Sequence, residues 1–172
     1  MVKSAGVYSG DFSSEYTSRI IQMLSAAVAD EVQAWFQYRF VAPFLTGFNN
    51  LLISSTFESL ADDELEDHCY GLLTRISQLG GDISAISSPD KISQVANCTY
   101  FTPIPPYDVK VCLEQNIKAE ECAIREYKEL LTYCTSNHDA VTSLLIQRIL
   151  ADEEDHLNTL NSFLSDVLAV RG

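Results

Sequence analysis

Apolar residues recur along most of the chain at the three- and four-residue spacing of amphipathic helices, and no stretch alternates as a strand does. The pattern predicts an all-α fold. A serine at 13 or 14 can cap the first helix, Gly80 and Gly81 end the second, and Asn137 can cap the fourth. The four predicted helices cover about 14–45, 51–79, 107–135 and 138–170.

The connections between these helices predict the topology. Thr46–Asn50 is a short turn, which brings the second helix back antiparallel to the first. Residues 82–106 lack helical periodicity, and a crossover over about 80–106 can run along a 28-residue helix of about 42 Å. We therefore expect one domain over 1–172, a four-helix bundle of two antiparallel helical hairpins joined by a long crossover.

Carboxylates interrupt the apolar faces of three predicted helices near their midpoints. Glu31, Glu120 and Glu153 each lie on a stripe of otherwise apolar or aromatic residues. Burying an ionised carboxylate costs several kcal/mol unless a partner compensates for it. No Lys or Arg lies on the same stripes, so we expect the partner to be a cation from solution.

The two hairpins repeat one arrangement of polar residues. In each hairpin, a tyrosine stands seven residues after the first glutamate, and a second glutamate stands 33 residues after that same first glutamate. A histidine follows the second glutamate by three or four positions. The local strings are ADDELEDH (61–68) and ADEEDH (151–156). The repeated set is Glu31, Tyr38, Glu64 and His68 in the first hairpin and Glu120, Tyr127, Glu153 and His156 in the second.

Four carboxylates and two imidazoles form a donor set suited to two adjacent divalent metals. Two Fe²⁺ ions balance the four negative charges, and such ligands suit iron or manganese better than the thiolate-rich sites of structural zinc. We expect two iron ions per subunit, for which manganese or zinc can substitute. Asp63 and Asp152 are placed to accept from a ligand imidazole, unless they are solvated surface residues. Tyr38 and Tyr127 either hydrogen-bond a ligand carboxylate or only pack in the core.

The second helix has one residue more than the fourth between its glutamate and its histidine. Glu64 lies four positions before His68. In a regular α-helix, Glu64 and Leu65 both point broadly toward the site and Glu66 points away. A π-bulge would instead absorb the extra residue, and the sequence leaves both windings open. In either case we predict Glu64 as a ligand, with the metal on the His68 side bound more weakly.

The paired Glu and Glu/His helices resemble the ferritin-like di-iron superfamily over residues 14–170. The strings AEECAIREY (119–127) and HCYGLLTRISQLGG (68–81) are similar to Dps-like mini-ferritins, whose bacterioferritin-like site lies within one subunit. The resemblance implies a ferroxidase that oxidises Fe(II) with O₂ or H₂O₂, mineralises Fe(III) in a homo-oligomeric shell and protects against oxidative stress. The family's ligands fall on Glu31, His68, Glu120, Glu153 and His156.

Features outside the candidate site refine this expectation. The sequence ends at Gly172, about where the fourth helix ends, without the fifth helix of 24-subunit ferritins. This favours a 12-subunit shell. Met1 and Met23 are the only methionines, and neither is well placed for an intersubunit haem, so no haem is expected.

Charge and hydropathy restrict the partners further. The net charge is −13, and Lys3 is the only basic residue before Arg19, so we expect no binding to DNA. No apolar run approaches the ~20 residues of a membrane span, and no secretory signal is present, so we expect no membrane association and a cytoplasmic location. The five cysteines form no Cys-x-x-Cys pair and are expected to be buried free thiols.

Two other functions remain open. A non-storing di-iron oxidoreductase, either a peroxidase or a hydroxylase, would use the same bundle. The sequence lacks the rubredoxin Cys-x-x-Cys pairs of a rubrerythrin-type peroxidase, and it indicates no substrate pocket for a hydroxylase. A metal-free structural bundle would have to bury its carboxylates without basic partners.

Overall fold

A computed structural model describes residues 12–46, 50–100 and 103–171. A π-helical segment, Asp63–Cys69, joins two α-helices into one continuous rod, and short 3-10 turns lie at Ala42–Phe44 and Ser84–Ile86. The described residues include no strand. The α-helices are α1 (Ser14–Val41), α2 (Leu51–Asp62), α3 (Tyr70–Gln78), α4 (Pro89–Val95), α5 (Val109–Ser136) and α6 (Ala140–Arg171).

Four long rods form the bundle. Helix α1 packs against the continuous rod α2–α3, α5 packs against α6, and contacts between α1 and α5 join the two hairpins. The predicted all-α bundle of two hairpins and a crossover is therefore confirmed. Residues 47–49 of the expected turn, and the N-terminal residues 1–11 that include Lys3, lie outside the described residues.

The helix ends follow local capping chemistry, with one departure from the prediction. The Ser13 side chain accepts from the backbone N–H of Tyr16 and caps α1. Asn137, predicted to cap the fourth long helix, instead ends α5, with its backbone N–H bonded to that helix's last carbonyls. The Asp139 carboxylate takes over the N-cap by accepting from the backbone N–H of Thr142, at 3.0 Å. The Asn137 prediction was therefore wrong by two residues.

The crossover contains a helix that periodicity did not predict. Helix α4 spans only seven residues and packs against α1, with Pro89 at its first position. Beyond it, the Asp30 carboxylate accepts the backbone N–H groups of Asn97 and Cys98, the latter at 2.8 Å. These hydrogen bonds attach the segment after α4 to the middle of α1.

One disulfide contradicts the expectation of five free thiols. Cys98 on the crossover is bonded to Cys122 on α5, across a sequence separation of 24 residues. Pairing at that distance leaves no local spacing motif, which is why the sequence did not indicate it. The free, buried thiols are Cys69, Cys112 and Cys134.

The apolar core is divided into two clusters. One surrounds Ile20, Leu72 and Ile146, and the other surrounds Phe57 and Leu113. On α1, α5 and α6 the predicted ligand carboxylate lies between residues of these clusters. The middle of the bundle is thus a polar layer enclosed by apolar layers. None of the described helices is both long enough and apolar enough to cross a membrane.

Candidate metal centre

All six predicted ligands meet in the middle of the bundle. They form two overlapping groups, and within each group the candidate ligand atoms lie within 4.8 Å of one another. Every one of the six side chains is buried, with exposed fractions of 6% or less. The groups are Glu31, Glu64, His68 and Glu153, and Glu64, Glu120, Glu153 and His156.

Glu64 and Glu153 belong to both groups and offer one oxygen to each histidine. His68 Nδ1 lies 3.0 Å from Glu64 Oε2 and 3.3 Å from Glu153 Oε1. His156 Nδ1 lies 3.4 Å from Glu64 Oε1 and 3.5 Å from Glu153 Oε2. This arrangement suits carboxylates that bridge two cations. Glu31 belongs only to the group that contains His68, and Glu120 belongs only to the group that contains His156.

Several buried polar atoms of this cluster have no hydrogen-bond partner among the described residues. They are Glu64 Oε1, both carboxylate oxygens of Glu153, His156 Nδ1 and His68 Nε2. A buried polar atom without a partner costs about 1–3 kcal/mol, and more when it is charged. Because most of these atoms are carboxylate oxygens or an imidazole Nδ1 facing the shared volume, the donor set fits two divalent cations.

Two tyrosines hold the unshared carboxylates. Tyr38 on α1 donates its hydroxyl hydrogen to Glu120 Oε1 on α5, and Tyr127 on α5 donates to Glu31 Oε1 on α1. Each tyrosine of one hairpin therefore orients a carboxylate of the other. The structure brings both predicted tyrosines into contact with the site.

Two aspartates face the outer nitrogens of the histidines. Asp152 Oδ2 lies 3.5 Å from His68 Nε2, and Asp63 Oδ2 lies 3.6 Å from His156 Nε2. Both aspartates remain about half exposed, whereas both histidines are buried. Distances of this length are not hydrogen bonds, so the two aspartates contribute negative charge beside the outer nitrogens.

The π-helical segment determines which side chains of the second rod face the site. Each π turn takes one residue more than an α turn, so Glu64 and His68 stand one turn apart and are both buried. Leu65 is 38% exposed and Glu66 is exposed. The expectation that Leu65 points broadly toward the site, which assumed regular α-helical winding, was therefore wrong.

Burial and mutual repulsion shift the proton equilibria of this cluster. Burial, with the negative charges of neighbouring glutamates, raises the pKa of Glu64 to about 8 and that of Glu120 well above its usual range. Burial alone would lower the pKa of His156, but its contacts with Glu153 and Glu64 raise it to about 11. Without metal, the cluster therefore retains protons at neutral pH.

We expect the metal-free protein to become less stable as the pH rises from 5 to 8. Glu64 in the folded state holds its proton up to about pH 8, whereas in the unfolded chain it loses it near its ordinary value of 4.5. The folded state then binds more protons than the unfolded state, so the free energy of unfolding falls with pH, by about 2 kcal/mol or more.

Urea unfolding of chelator-treated protein, followed by circular dichroism at both pH values, measures this change. The Glu64→Gln variant cannot titrate at this position and should show a flatter dependence. Equal or greater stability at pH 8 would contradict the assignment.

Sequence analysis did not identify Asp30 as part of this region. Asp30 is buried beside Glu31, and burial raises its pKa to about 7 even though it accepts two backbone hydrogen bonds from the crossover. It lies off the inward stripe of α1, so no periodicity marks it. Its hydrogen-bond partners lie 67 and 68 residues away, beyond the reach of a local pattern.

Comparison with known proteins agrees with the family resemblance that the sequence motifs indicate. The sequence model of the family described as "Ferritin-like domain" matches residues 21–169. The chain is 26% identical to the bacterioferritin of Desulfovibrio desulfuricans over 140 residues, covering 81% of this chain and 71% of the relative. It is 30% identical to the bacterioferritin of Brucella melitensis over 160 residues, covering 90% and 87%.

Solved structures share the fold. A dodecameric thioferritin, the bacterioferritin-related protein of Bacteroides fragilis, superposes with a TM-score of 0.84 at 30% identity, covering 90% of this chain and 89% of the other. The D. desulfuricans bacterioferritin, described with a diiron site, gives 0.76 at 24% identity and covers 90% and 83%. A ferritin-like diiron-carboxylate protein of Bacillus anthracis gives 0.74 at 22% identity and covers 88% and 99%.

Proposed function

The chain belongs to the ferritin-like domain family, and we propose that it is a ferroxidase that oxidises Fe(II) and stores Fe(III) inside an oligomeric shell. One observation carries this proposal: two overlapping groups of fully buried Glu and His side chains share two carboxylates in the middle of the bundle. Buried carboxylates in this number remain ionised only when cations compensate for them, and without cations they take up protons.

Each ligand has a defined part in binding the two Fe²⁺ substrate ions. Glu31 and His68 serve one ion, Glu120 and His156 serve the other, and Glu64 and Glu153 serve both. Four carboxylates balance two divalent charges, so binding removes the repulsion that raises the pKa of Glu64. Binding also gives partners to the buried oxygens that lack them.

The protein contributes position and electrostatics to the oxidation. Two Fe²⁺ held side by side give one electron each to a single molecule of O₂ or H₂O₂. Tyr38 and Tyr127 keep the unshared carboxylates in place, and Asp63 and Asp152 place negative charge beside the outer nitrogens of the two histidines. The two Fe³⁺ ions leave an excess positive charge among four carboxylates, which favours release of the product to a storage cavity.

We extend the proposal to a shell of twelve subunits. The bacterioferritin-related protein of B. fragilis, described as dodecameric, is similar over about nine-tenths of both chains. Exposed aromatic rings on α1 and on the 3-10 turn that follows it also support association: Phe36, Phe40 and Phe44 lie in a row, with centroids 5.5 and 5.9 Å apart. With a net charge of −13, we propose that this shell does not bind duplex DNA. Because Met1 and Met23 are the only methionines and neither is well placed for an intersubunit haem, we propose that it binds no haem.

Mass and iron content measured on the same purified sample test storage. We expect light scattering after size exclusion to give the mass of twelve 19.1 kDa chains. After aerobic Fe(II) addition, the peak should retain tens of iron atoms per subunit. A monomer or dimer that retains only two would overturn storage and favour the non-storing oxidoreductase on the same site.

A further inference from the structure

A cavity of about 480 Å³ lies on α1, against α4 and the segment after α4. None of the six candidate metal ligands lines it, yet Trp35 in its wall stands one helical turn after Glu31 on α1. Its volume falls within the ~300–1,000 Å³ of small-molecule sites. Most of the wall is apolar or aromatic, and these side chains are Val32, Trp35, Phe36, Pro89, Ile92 and Tyr100. The cavity therefore has the size and the lining of a small-molecule site.

The wall of this cavity is uncharged, unlike the rest of this acidic chain. Lys, Arg, Asp and Glu make up 20% of the sequence, yet none of them is among the described residues that line the cavity. The other polar side chains of the wall are Gln33, Gln37 and Ser93. Burial raises the pKa of Tyr100 well above its usual range, and the nearby carboxylates raise it further, so its hydroxyl is uncharged as well. A charged ligand would lose its hydration here without gaining an ion pair, so the ligand that fits is neutral.

A buried amide in the wall has an acceptor without a partner. Gln37 is 2% exposed, and its Oε1 receives no hydrogen bond from any residue that the structure describes. The orientation of its amide is fixed from α5. Asn116 Nδ2 donates to the carbonyl oxygen of Cys112, and Asn116 Oδ1 accepts from Gln37 Nε2, both at 2.8 Å. The atom of Gln37 that lacks a partner is therefore an oxygen, and a hydrogen-bond donor would relieve its unfavourable burial.

We propose that this cavity binds a neutral aromatic ligand of the indole class, whose ring N–H donates to Gln37 Oε1. An indole nitrogen donates and does not accept, so it supplies the missing partner without adding an acceptor that would need a donor. Its two fused rings are flat and apolar, which suits the aromatic wall that Trp35 and Phe36 provide. The two requirements, a neutral flat body and one N–H donor, define the ligand class.

The single tryptophan of the chain makes the cavity directly observable. Trp35 is the only tryptophan, so the tryptophan fluorescence of the protein reports on the wall of this cavity. The probe is 5-nitroindole, whose nitro group quenches tryptophan fluorescence at close range. It is titrated into the assembled, metal-free protein, and free N-acetyltryptophanamide corrects for absorbance. We expect quenching that saturates, whereas random collisions with the half-buried Trp35 would give quenching that rises linearly.

Two analogues of the probe test the proposed contacts in the wild-type protein. In 1-methyl-5-nitroindole a methyl group replaces the N–H hydrogen, and this analogue should bind about fivefold more weakly or worse, because Gln37 Oε1 then stays without a donor. In 5-nitroindole-2-carboxylate the same rings carry a negative charge, and this analogue should bind at least about tenfold more weakly, because no basic side chain of the described wall can pair with it.

Variants of the wall separate the proposed hydrogen bond from a general change of structure. In Gln37→Leu the affinities for 5-nitroindole and its N-methyl analogue should come within about twofold of each other, since the acceptor is gone. A merely structural effect would weaken both probes equally and leave their ratio unchanged. Ser93→Phe places a ring in the cavity and should weaken both probes about tenfold or more. Gln94→Phe is the matched control, because Gln94 is also exposed on α4 but does not line the cavity, and it should change neither affinity by more than about 1.5-fold.

Three results would overturn the proposal: quenching that does not saturate, equal affinity of the wild type for 5-nitroindole and its N-methyl analogue, or equal effects of Ser93→Phe and Gln94→Phe. The first result is also expected if a neighbouring subunit fills the cavity, since Phe36 belongs to the aromatic row that we propose supports association. No iron enters the assay. Failure here therefore leaves the proposed ferroxidase untouched, and failure of the ferroxidase leaves this proposal standing.

Discussion

Replacing Glu120 by alanine is expected to slow Fe(II) oxidation by at least ~100-fold while the helical content stays unchanged. Loss of a residue that only supports a ligand already costs about 10- to 100-fold in metal affinity or activity, and Glu120 is proposed as a ligand itself. The variant should fold, because the substitution removes a buried carboxylate whose pKa is strongly raised from the polar middle layer of the bundle. Stability of the metal-free protein can even increase.

Stopped-flow absorbance of the ferric product, after mixing Fe(II) with aerated protein, measures the rate, and circular dichroism measures the helical content. His156→Ala should give the same loss, because His156 belongs to the same half of the site. Glu114→Ala is the matched control: it removes a half-exposed carboxylate from the same helix and should oxidise iron at the wild-type rate. Wild-type rates in Glu120→Ala and His156→Ala would disprove the site.

The site could be predicted because the chain repeats it. One glutamate on an apolar stripe is weak evidence for a metal ligand. The same spacing in both hairpins, however, located all six side chains that meet in the fold. The contacts between the two hairpins were harder to predict from the sequence. That Tyr38 bonds Glu120 rather than a residue of its own hairpin depends on how the hairpins face each other.

The features that sequence analysis missed depend on contacts between distant parts of the chain or on competition between neighbouring residues. The disulfide joins the crossover to α5, and no pattern along the chain fixes where an aperiodic crossover lies. Asn137 does not cap α6 as predicted, because Asp139, two residues later, offers a stronger acceptor and also binds Arg75 in the core. Leu65 was wrongly predicted to point toward the site because residues 63–69 form a π-helix, whereas the prediction assumed a regular α-helix.

The second large effect follows from the π-helical winding of residues 63–69. We expect the Glu64→Gln variant to bind one divalent metal where the wild type binds two. Glu64 offers an oxygen to each histidine, so its loss leaves three carboxylates, and three negative charges cannot balance two divalent cations in a buried site. The half that contains His68 should lose its ion first, since Glu64 and His68 both come from the irregular helix.

Glu66→Gln is the sharpest control, because it makes the same chemical change two residues away on the same π segment. Glu66 is exposed, whereas Glu64 is fully buried, so charge removal at 66 should leave both metal equivalents in place. Anaerobic titration with Co(II), read by its ligand-field absorbance and by calorimetry, counts the equivalents. Two equivalents in Glu64→Gln with one in Glu66→Gln would mean that the second rod presents its other face to the site, which would contradict the π winding together with the proposed bridging role of Glu64.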